Sequence, residues 1–195
     1  IEFIDIFGNA SSLHQFGRES RFYIEEARKN VADLLGCNAN DIIFTSGGSE
    51  SNNLVLKGFT CDKNCGLNCN HKTHLITSVI EHPSVINTCQ CLEATGVEVT
   101  YIPVDNTGMV NPADVKKAIR SNTALISIMY ANNEIGTIEP IKEIAHIARE
   151  HNVLIHTDAV QAAGKIDFSL KDLDVDFMSI SGHKLYGPKG IGALY

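Results

Sequence analysis

The sequence predicts an α/β fold with a three-layer, mostly parallel sheet of seven strands, because short apolar runs alternate with amphipathic stretches along the whole chain. No repeat, low-complexity tract or proline-rich linker interrupts this order. A length of 195 residues is enough to bury one sizeable core, so one domain, or most of one, is expected. Each apolar run has the length of a strand, and the predicted strands cover residues 42–44, 74–79, 97–103, 124–130, 153–156, 175–180 and 191–195.

Amphipathic stretches between these strands predict helices with recognisable ends. The predicted helices cover residues 19–35, 83–95, 111–119 and 140–151. Gly36 and Gly96 follow the first two and can end them, while Asn111 can cap the third, with Pro112 at its first helical position. Apolar residues recur on one face of the first and the last of these helices; they are Ile24, Ala27, Val31 and Leu34 in the first and Ile141, Ala145 and Ala148 in the last.

Charge and composition exclude several classes of function. The net charge is −7 and the chain has no basic run, so binding to nucleic acid or to an anionic membrane has no electrostatic basis. No apolar run approaches the length of a membrane span, and the amino terminus lacks the basic flank and apolar core of a signal peptide. A cytoplasmic protein is therefore expected, and its six cysteines are expected to be reduced thiols.

A lysine follows the sixth predicted strand, within the sequence Ser181-Gly182-His183-Lys184-Leu185. The end of a buried strand is a common place for an active site in α/β sheets. A lysine that is partly withdrawn from water there can present the neutral amine that attacks a carbonyl carbon, which predicts a Schiff base role for Lys184. Taken alone, a lysine at such a place is more often a solvated surface residue.

A glycine- and hydroxyl-rich turn, residues 45–52, follows the first predicted strand and opens a helix that runs to about Gly58. Its free backbone N–H groups and the positive end of the helix would attract an anion, and Ser46 and Ser49 add hydroxyl donors. The segment therefore predicts a phosphate site, although it matches neither a Walker motif nor a dinucleotide fingerprint. A plain helix cap is the alternative interpretation.

Asp158 follows the fifth predicted strand and lies 26 residues before Lys184. A carboxylate at the end of a buried strand needs a cationic or hydrogen-bonding partner, because an unpaired buried charge costs several kcal/mol. In a site that also holds a lysine and a phosphate, the protonated nitrogen of a pyridine ring is a suitable partner, and Gln161 could donate to a ring hydroxyl. Alternatively, Asp158 caps a helix that begins near Ala159.

Two further polar segments follow predicted strands. Residues 81–84 contain His82, whose imidazole could stack on an aromatic ring or shuttle protons near neutral pH. Residues 131–136 contain Asn133 and other amides that could bind cofactor or substrate oxygens; alone, this segment is more often a turn, and a lone histidine more often a satisfied polar residue. Because the carboxyl ends of parallel strands meet at one edge of a sheet, all five segments are expected to converge on one site.

Together these motifs resemble the cysteine desulfurases, which are pyridoxal-phosphate enzymes of the class V aminotransferase group with fold type I. The resemblance covers essentially the whole chain, and the branch that serves nitrogenase and general iron–sulfur assembly is the more similar one. It implies that residues 1–195 form the large, cofactor-binding domain of such a transferase. The segments that carry it, in order and spacing, are 7–14 with 17–18, 44–52, 81–85, 132–136 and 181–192.

The resemblance also implies a role for each matching residue. Lys184 would carry pyridoxal 5'-phosphate as a Schiff base, His82 would stack on the ring and aid proton transfer, and Asp158 would face the pyridine nitrogen. Gln161 and Asn133 would lie near the ring hydroxyl. The residues implied to hold the phosphate are Gly48, Ser49, Ser181 and His183.

The implied reaction converts L-cysteine to L-alanine and leaves the sulfur on an enzyme cysteine as a persulfide. The implied partners are a second copy of the chain in a homodimer and an iron–sulfur scaffold or other sulfur-acceptor protein. Relative to the family pattern, the chain is expected to be incomplete at both ends, without the small C-terminal domain that carries the nucleophilic cysteine. None of the six cysteines matches that position, so none is assigned the role.

Two departures from the family pattern stand out. Residues 61–74 form a longer connection than usual and contain three thiols and two imidazoles, Cys61, Cys65, Cys69, His71 and His74. Their spacing is not that of a familiar zinc knuckle, so no metal ligand is assigned, with zinc binding kept as an alternative to a polar loop. Ala10 stands where the family usually has proline, which affects only local loop geometry.

Three other functions share part of this pattern. A selenocysteine lyase would use the same residues, and activity on L-selenocysteine against L-cysteine would discriminate it. A non-catalytic scaffold or metal-binding module could keep the fold, but it would be expected to lose at least one of Lys184, Asp158, His82 and Gln161. A transaminase or other class V lyase is less consistent with segment 132–136.

Overall fold

The computed structural model describes residues 6–59 and 73–195, and within them seven strands form one sheet in the order β1-β7-β6-β5-β4-β2-β3. The predicted α/β fold class is confirmed, with every predicted strand present. The strands are β1 (Ile43–Thr45), β2 (His74–Ser78), β3 (Glu98–Ile102), β4 (Thr123–Ser127), β5 (Leu154–Asp158), β6 (Phe177–Ser181) and β7 (Gly192–Leu194).

Strand direction divides the sheet into a parallel part and one reversed strand. The pairs β3–β2, β2–β4, β4–β5 and β5–β6 are parallel, whereas β7 pairs antiparallel with both β6 and β1. Only the short segment 182–191 joins β6 to β7, which leaves no room for the helical crossover that a parallel neighbour requires. Because two reversals restore the direction, β1 runs the same way as β6.

The chain divides into two compact units, Ile1–Ile42 and Ile43–Tyr195, and the second contains the whole sheet. Its helices are α2 (Gly48–Phe59), α3 (Pro83–Glu93), α4 (Pro112–Ala118), α5 (Ile141–Glu150) and the short α6 (Leu170–Leu173), which the sequence pattern did not predict. Asn111 caps α4, as predicted, because its side chain accepts a hydrogen bond from Ala113 N at 2.9 Å. Ile141, Ala145 and Ala148 are buried on α5, also as predicted.

The first unit consists mainly of helix α1 (Gln15–Leu35), which begins four residues earlier than predicted because the His14 side chain accepts from Gly17 N and caps it. Gly36 ends the helix in the left-handed conformation, at φ 74°. The predicted buried face was wrong: Ile24 and Leu34 are exposed, and Ala32 and Leu35 are buried instead. No helix in residues 6–59 or 73–195 is long and apolar enough to cross a membrane.

The core of the second unit lies around the central strands. All residues of β2 and β4 are buried, as expected for parallel strands covered on both faces. Leu75 and Leu125 pack with Val55 and Leu56 of α2 and Val85 of α3 in one apolar cluster. This cluster packs α2 and α3 against β2 and β4.

Ile126→Ala in β4 is expected to lower the free energy of unfolding by about 2–5 kcal/mol, because Ile126 is fully buried and its loss leaves a cavity. Leu34→Ala is the control, since Leu34 is 53% exposed and its removal should cost less than about 0.5 kcal/mol. Chemical denaturation of both variants measures the difference. Equal losses would contradict this description of the core.

Candidate functional site

The five sequence segments predicted to converge do lie at one edge of the sheet. Strands β1, β2, β4, β5 and β6 run in the same direction, so the loops after them share that edge. A cavity of about 160 Å³ opens there. Ser46, also predicted as a donor there, does not line it; the predicted residues that do are Gly48, Ser49, His82, Asn133, Asp158, Gln161, Ser181, His183 and Lys184.

The lining also includes residues that the sequence analysis missed. These are Asn52, Ser84, Met129, Ala131 and Val160. Asn52 could have been found from the pattern, because it lies one helical turn after Gly48 on α2 and therefore faces the same side. Ser84 lies in the same motif as His82, but a serine near a helix start is ordinarily read as a capping residue.

Asp158 ends β5 and is buried at the base of the cavity wall, with only 5% of its surface exposed. Its Oδ2 accepts from Asn52 Nδ2 at 2.7 Å and its Oδ1 accepts from Val160 N at 3.0 Å. Burial raises the pKa of Asp158, while the Asn52 and Val160 hydrogen bonds and the nearby His82 lower it in part. Within residues 6–59 and 73–195, no ion pair satisfies this carboxylate.

The alternative prediction for Asp158 was that it caps a helix beginning near Ala159. It was wrong, because no helix forms there. Residues 160–165 form turns and no helix, with Ala162 N and Ala163 N both donating to Ala159 O. The bond from Val160 N to Asp158 is therefore a local turn contact. It positions the carboxylate without placing it at a helix end.

The turn before α2 lies next to residues at the end of β6, since a Cβ on Gly48 would be 3.8 Å from Ser181 Cβ. Gly48 and Ser49 begin α2, and the Glu50 carboxylate accepts from Ser46 N at 2.6 Å. Beside them, Ser181 Oγ and His183 Nδ1 are 2.9 Å apart. A helix amino terminus, two hydroxyls and an imidazole form an arrangement that binds a phosphate or another oxyanion.

A tight turn places Lys184 on the cavity wall. Residues Gly182–Lys184 form a 3-10 turn, and Gly182 O accepts from both Leu185 N and Gly187 N at 2.9 Å. Lys184 is half-buried. In the described part of the chain its amine makes neither a hydrogen bond nor an ion pair, so it remains available to a ligand.

The loop after β4 is anchored by an amide next to the predicted residue. Asn132 is buried and donates to Ile80 O at 3.0 Å, while its Oδ1 accepts from Glu134 N at 2.8 Å and Ile135 N at 3.1 Å. These bonds hold the exposed Asn133 at the cavity. Gln161, on the far side, accepts from Lys165 Nζ at 3.0 Å through its Oε1.

Glu81 is a second buried carboxyl group, next to His82 in sequence but outside the cavity lining. Its Oε1 accepts from Ser78 Oγ at 2.6 Å and from Met129 N at 2.9 Å, which ties the end of β2 to the loop after β4. Burial, together with the charges of Asp158 and Glu139, raises the pKa of Glu81 to about 8 against these hydrogen bonds. At pH 7 the protonated, uncharged form of Glu81 is therefore favoured, and no ion pair among the described residues opposes this.

Thiols take no part in the cavity as far as the chain is described. Cys37, Cys89 and Cys91 are free, and none of them lines it. Burial raises the pKa of Cys89 to about 12, and burial together with Asp41 raises that of Cys37, so neither is a ready thiolate. Cys61, Cys65, Cys69 and His71 lie outside the described residues. His74 is a buried core residue whose ring nitrogens bond Thr123 Oγ1 and Thr100 Oγ1, both at 2.8 Å.

Comparison with known proteins gives one family and several close relatives. The family model described as aminotransferase class-V matches residues 1–195. The chain is 55% identical over 189 residues to the cysteine desulfurase IscS of Dictyoglomus turgidum, covering 97% of this chain and 47% of that protein. It is 53% identical over 189 residues to the cysteine desulfurase IscS of Methanosarcina thermophila, covering 97% and 46% respectively.

A solved structure shows the same architecture. The structure titled SspA in complex with cysteine matches with a TM-score of 0.93 at 46% identity, covering 98% of this chain and 54% of that one. The resemblance to cysteine desulfurases inferred from the motifs is thus confirmed, and so is the fold. The chain spans about half the length of the curated relatives that it matches.

The raised pKa of Glu81 predicts a particular pH dependence of stability. Between its ordinary value of 4.5 and about 8, the folded protein holds a proton that the unfolded chain has released. The contribution of Glu81 to the free energy of unfolding therefore falls as pH rises through this range, by up to about 1.4 kcal/mol per pH unit. Glu81→Gln, which keeps a neutral group of the same shape, should remove this slope.

Denaturation at pH 5, 6, 7 and 8 measures the slope in each protein. Exposed Glu143 on α5 supplies the control, and Glu143→Gln should keep the slope of the original protein. If Glu81→Gln shows the same pH dependence as Glu143→Gln, then Glu81 is ionised in the folded state and the assignment is wrong.

Proposed function

Because the chain belongs to the aminotransferase class-V family, we propose that it forms the pyridoxal-phosphate site of a cysteine desulfurase. The complete protein would convert L-cysteine to L-alanine and pass the sulfur to an enzyme thiol as a persulfide. The relatives named cysteine desulfurase support the activity, and the cysteine complex of SspA supports the substrate. The description of residues 1–195 as the large domain of this enzyme, incomplete at both ends, is part of the same proposal.

One observation carries this proposal: a buried carboxylate, an unpaired lysine amine and a helix amino terminus share one cavity. Each of the three matches a different part of pyridoxal phosphate. The Asp158 carboxylate suits a protonated ring nitrogen, the Lys184 amine suits the aldehyde carbon, and the start of α2 suits the phosphate. A simple anion site would need only the third.

Unsatisfied polar atoms provide a test of whether the residues fit this cofactor. Asp158 is buried without a cation in the described chain, and the Oδ1 of Asn52, on the same wall, is buried without a hydrogen-bond partner there. Such atoms are costly unless a ligand or water satisfies them. A polar aromatic cation bordering this wall would relieve the cost, so the residues present fit the group.

The proposed roles follow from position and chemistry. Lys184 would hold the cofactor covalently through its amine and exchange protons as the substrate takes its place. Asp158 would keep the ring nitrogen protonated, and the bound cofactor then withdraws electrons from the α-carbon of the amino acid. The phosphate would lie among Gly48, Ser49, Ser181 and His183.

Three further residues complete the proposed site. His82 would stack on the ring and move protons to or from the substrate. Gln161 and Asn133 would donate to oxygen atoms of the ring or the substrate carboxylate. None of Cys37, Cys89 and Cys91 lines the cavity, so the thiol that receives sulfur is proposed to be another cysteine.

The oligomeric state and the sulfur acceptor of the enzyme are also proposed from the family resemblance. A homodimer is expected, together with delivery of sulfur to an iron–sulfur scaffold or another acceptor protein. The cytoplasmic location stays a prediction. None of these points depends on the geometry of the cavity.

Lys184→Ala is expected to abolish the visible absorption band of the lysine-bound cofactor in the purified complete protein, because no other amine of the described chain lines the cavity. Lys171→Ala, at an exposed position on α6, is the control and should keep the band. Absorption spectra after addition of pyridoxal phosphate measure both. A retained band in Lys184→Ala would exclude the proposed attachment, and no band in the unmodified protein would favour a scaffold without cofactor.

Asp158→Asn is expected to lower the rate of alanine formation from L-cysteine roughly 10- to 100-fold, because a neutral amide loses the charge-assisted hydrogen bond to the ring nitrogen. The cofactor should still attach, since Lys184 is unchanged. Asp172→Asn, exposed on α6, should keep the original rate. Equal rates in the two variants would remove Asp158 from the proposed mechanism.

A further inference from the structure

An unbroken chain of hydrogen bonds joins His82 to Asp158 through two side chains that the proposed mechanism does not use. We propose that Ser84 and Asn52 are positioning residues that make His82 and Asp158 one hydrogen-bonded unit and hold the neutral His82 ring with its proton on Nε2. Their importance for the cofactor rests on the proposed function, whereas the tautomer itself does not.

The donor and acceptor roles along this chain of hydrogen bonds are determined first at Asp158. Both of its oxygens accept hydrogen bonds, Oδ1 from Val160 N at 3.0 Å and Oδ2 from Asn52 Nδ2 at 2.7 Å. The reversed amide of Asn52 would place its Oδ1 against the carboxylate oxygen, and two acceptors repel at that distance unless a proton lies between them. An Asp158 oxygen that carries no proton therefore selects the orientation in which Asn52 is the donor.

The Ser84 hydroxyl accepts one hydrogen bond in this chain and donates the next one to His82. The second hydrogen of Asn52 Nδ2 goes to Ser84 Oγ at 2.9 Å, so the Ser84 hydroxyl acts as an acceptor from α2. Its own hydrogen is then free to donate, and His82 Nδ1 lies 2.8 Å away. The chain thus runs from an amide donor through a hydroxyl to an imidazole acceptor.

His82 Nδ1 receives a second donor from the backbone. Ser84 N donates to it at 3.1 Å, because His82 is the residue that caps α3. A ring nitrogen that accepts from two donors carries no hydrogen of its own, so in the neutral ring the proton is on Nε2. The backbone donor alone requires this tautomer, and the Ser84 hydroxyl adds a second donor that links the ring to Asn52 and Asp158.

The chain has two consequences for the site. The imidazole is held at Nδ1 by a backbone and a side-chain donor, which limits its rotation at the cavity wall. The Asp158 carboxylate is held at both oxygens, by Asn52 Nδ2 at 2.7 Å and by Val160 N at 3.0 Å. Replacing Ser84 by alanine breaks the chain but leaves both end residues, His82 and Asp158, and the backbone bond to His82 Nδ1 in place.

The tautomer is measured directly by ¹⁵N NMR of protein labelled at histidine, at pH 8.5, where imidazoles are neutral. The chain contains eight histidines, and His82→Gln identifies the His82 signals by their loss. The expected result is an unprotonated Nδ1 and a protonated Nε2 in the complete protein without cofactor. A proton on Nδ1 would overturn the proposal.

A set of three variants tests the role of the Ser84 hydroxyl. Ser84→Ala removes it and should shift the Nδ1 resonance of His82 and weaken pyridoxal phosphate binding roughly five-fold, the effect of one net hydrogen bond. Ser84→Thr restores a hydroxyl and should restore both readouts. Thr88→Val is the matched control: it deletes a hydroxyl that bonds Asn53 Oδ1 at 3.0 Å and the Ser84 backbone carbonyl at 2.8 Å, and it leaves the Ser84 hydroxyl and its bonds to Asn52 and His82 in place.

The outcomes separate this proposal from the proposed function. If the protein binds no pyridoxal phosphate but His82 shows the expected tautomer and Ser84→Ala shifts it, the proposed function fails and the hydrogen-bonded unit stands. If the cofactor binds but Ser84→Ala behaves like Thr88→Val in both readouts, the unit is refuted and the proposed function stands. Ser84 occupies the first turn of α3, where alanine is readily tolerated, and melting curves of all variants verify folding.

Discussion

Five strands whose carboxyl ends lie at the same edge of the sheet carry every residue of the candidate site. This common direction is the constraint on which the rest of the molecule depends, because it brings together segments that are up to about 140 residues apart in the sequence. The short connection before β7 reverses only that strand, so β1 still delivers Gly48 and Ser49 to the same edge. The apolar cluster around Leu75 and Leu125 packs α2 and α3 against β2 and β4.

Two buried carboxyl groups near this edge differ in how their oxygens are hydrogen-bonded and in whether they border the cavity. Asp158 accepts from two donors on different oxygens, and it borders the cavity, where a cation can reach it. Glu81 accepts both of its bonds on one oxygen, and its other oxygen has no partner among the described residues. Burial therefore keeps Glu81 protonated, and Glu81 serves to join the ends of β2 and β4 without adding a second charge beside Asp158.

The histidines show a similar division between structural and functional positions. His74 and His156 lie inside the sheet with both ring nitrogens bonded to hydroxyl groups of neighbouring strands, and burial lowers the pKa of His156 to about 3. Burial favours the neutral form of both rings, which serve as supports within the sheet. His82 differs because both of its hydrogen bonds within the described residues are on Nδ1, which leaves Nε2 for chemistry at the cavity.

The sequence by itself predicted the α/β fold, the positions of the seven strands and nine of the fourteen residues that line the cavity, because strand periodicity and the direction of parallel strands require no long-range information. It also predicted the Asn111 cap, which depends on neighbouring residues only. Tertiary structure alone decided which face of α1 is buried, the reversal of β7, the neutral state of Glu81, and the links from Asn52 and Ser84 to Asp158 and His82. Each of these depends on contacts between residues distant in the chain, or on the loss of water around a charge, and neither is encoded in local spacing.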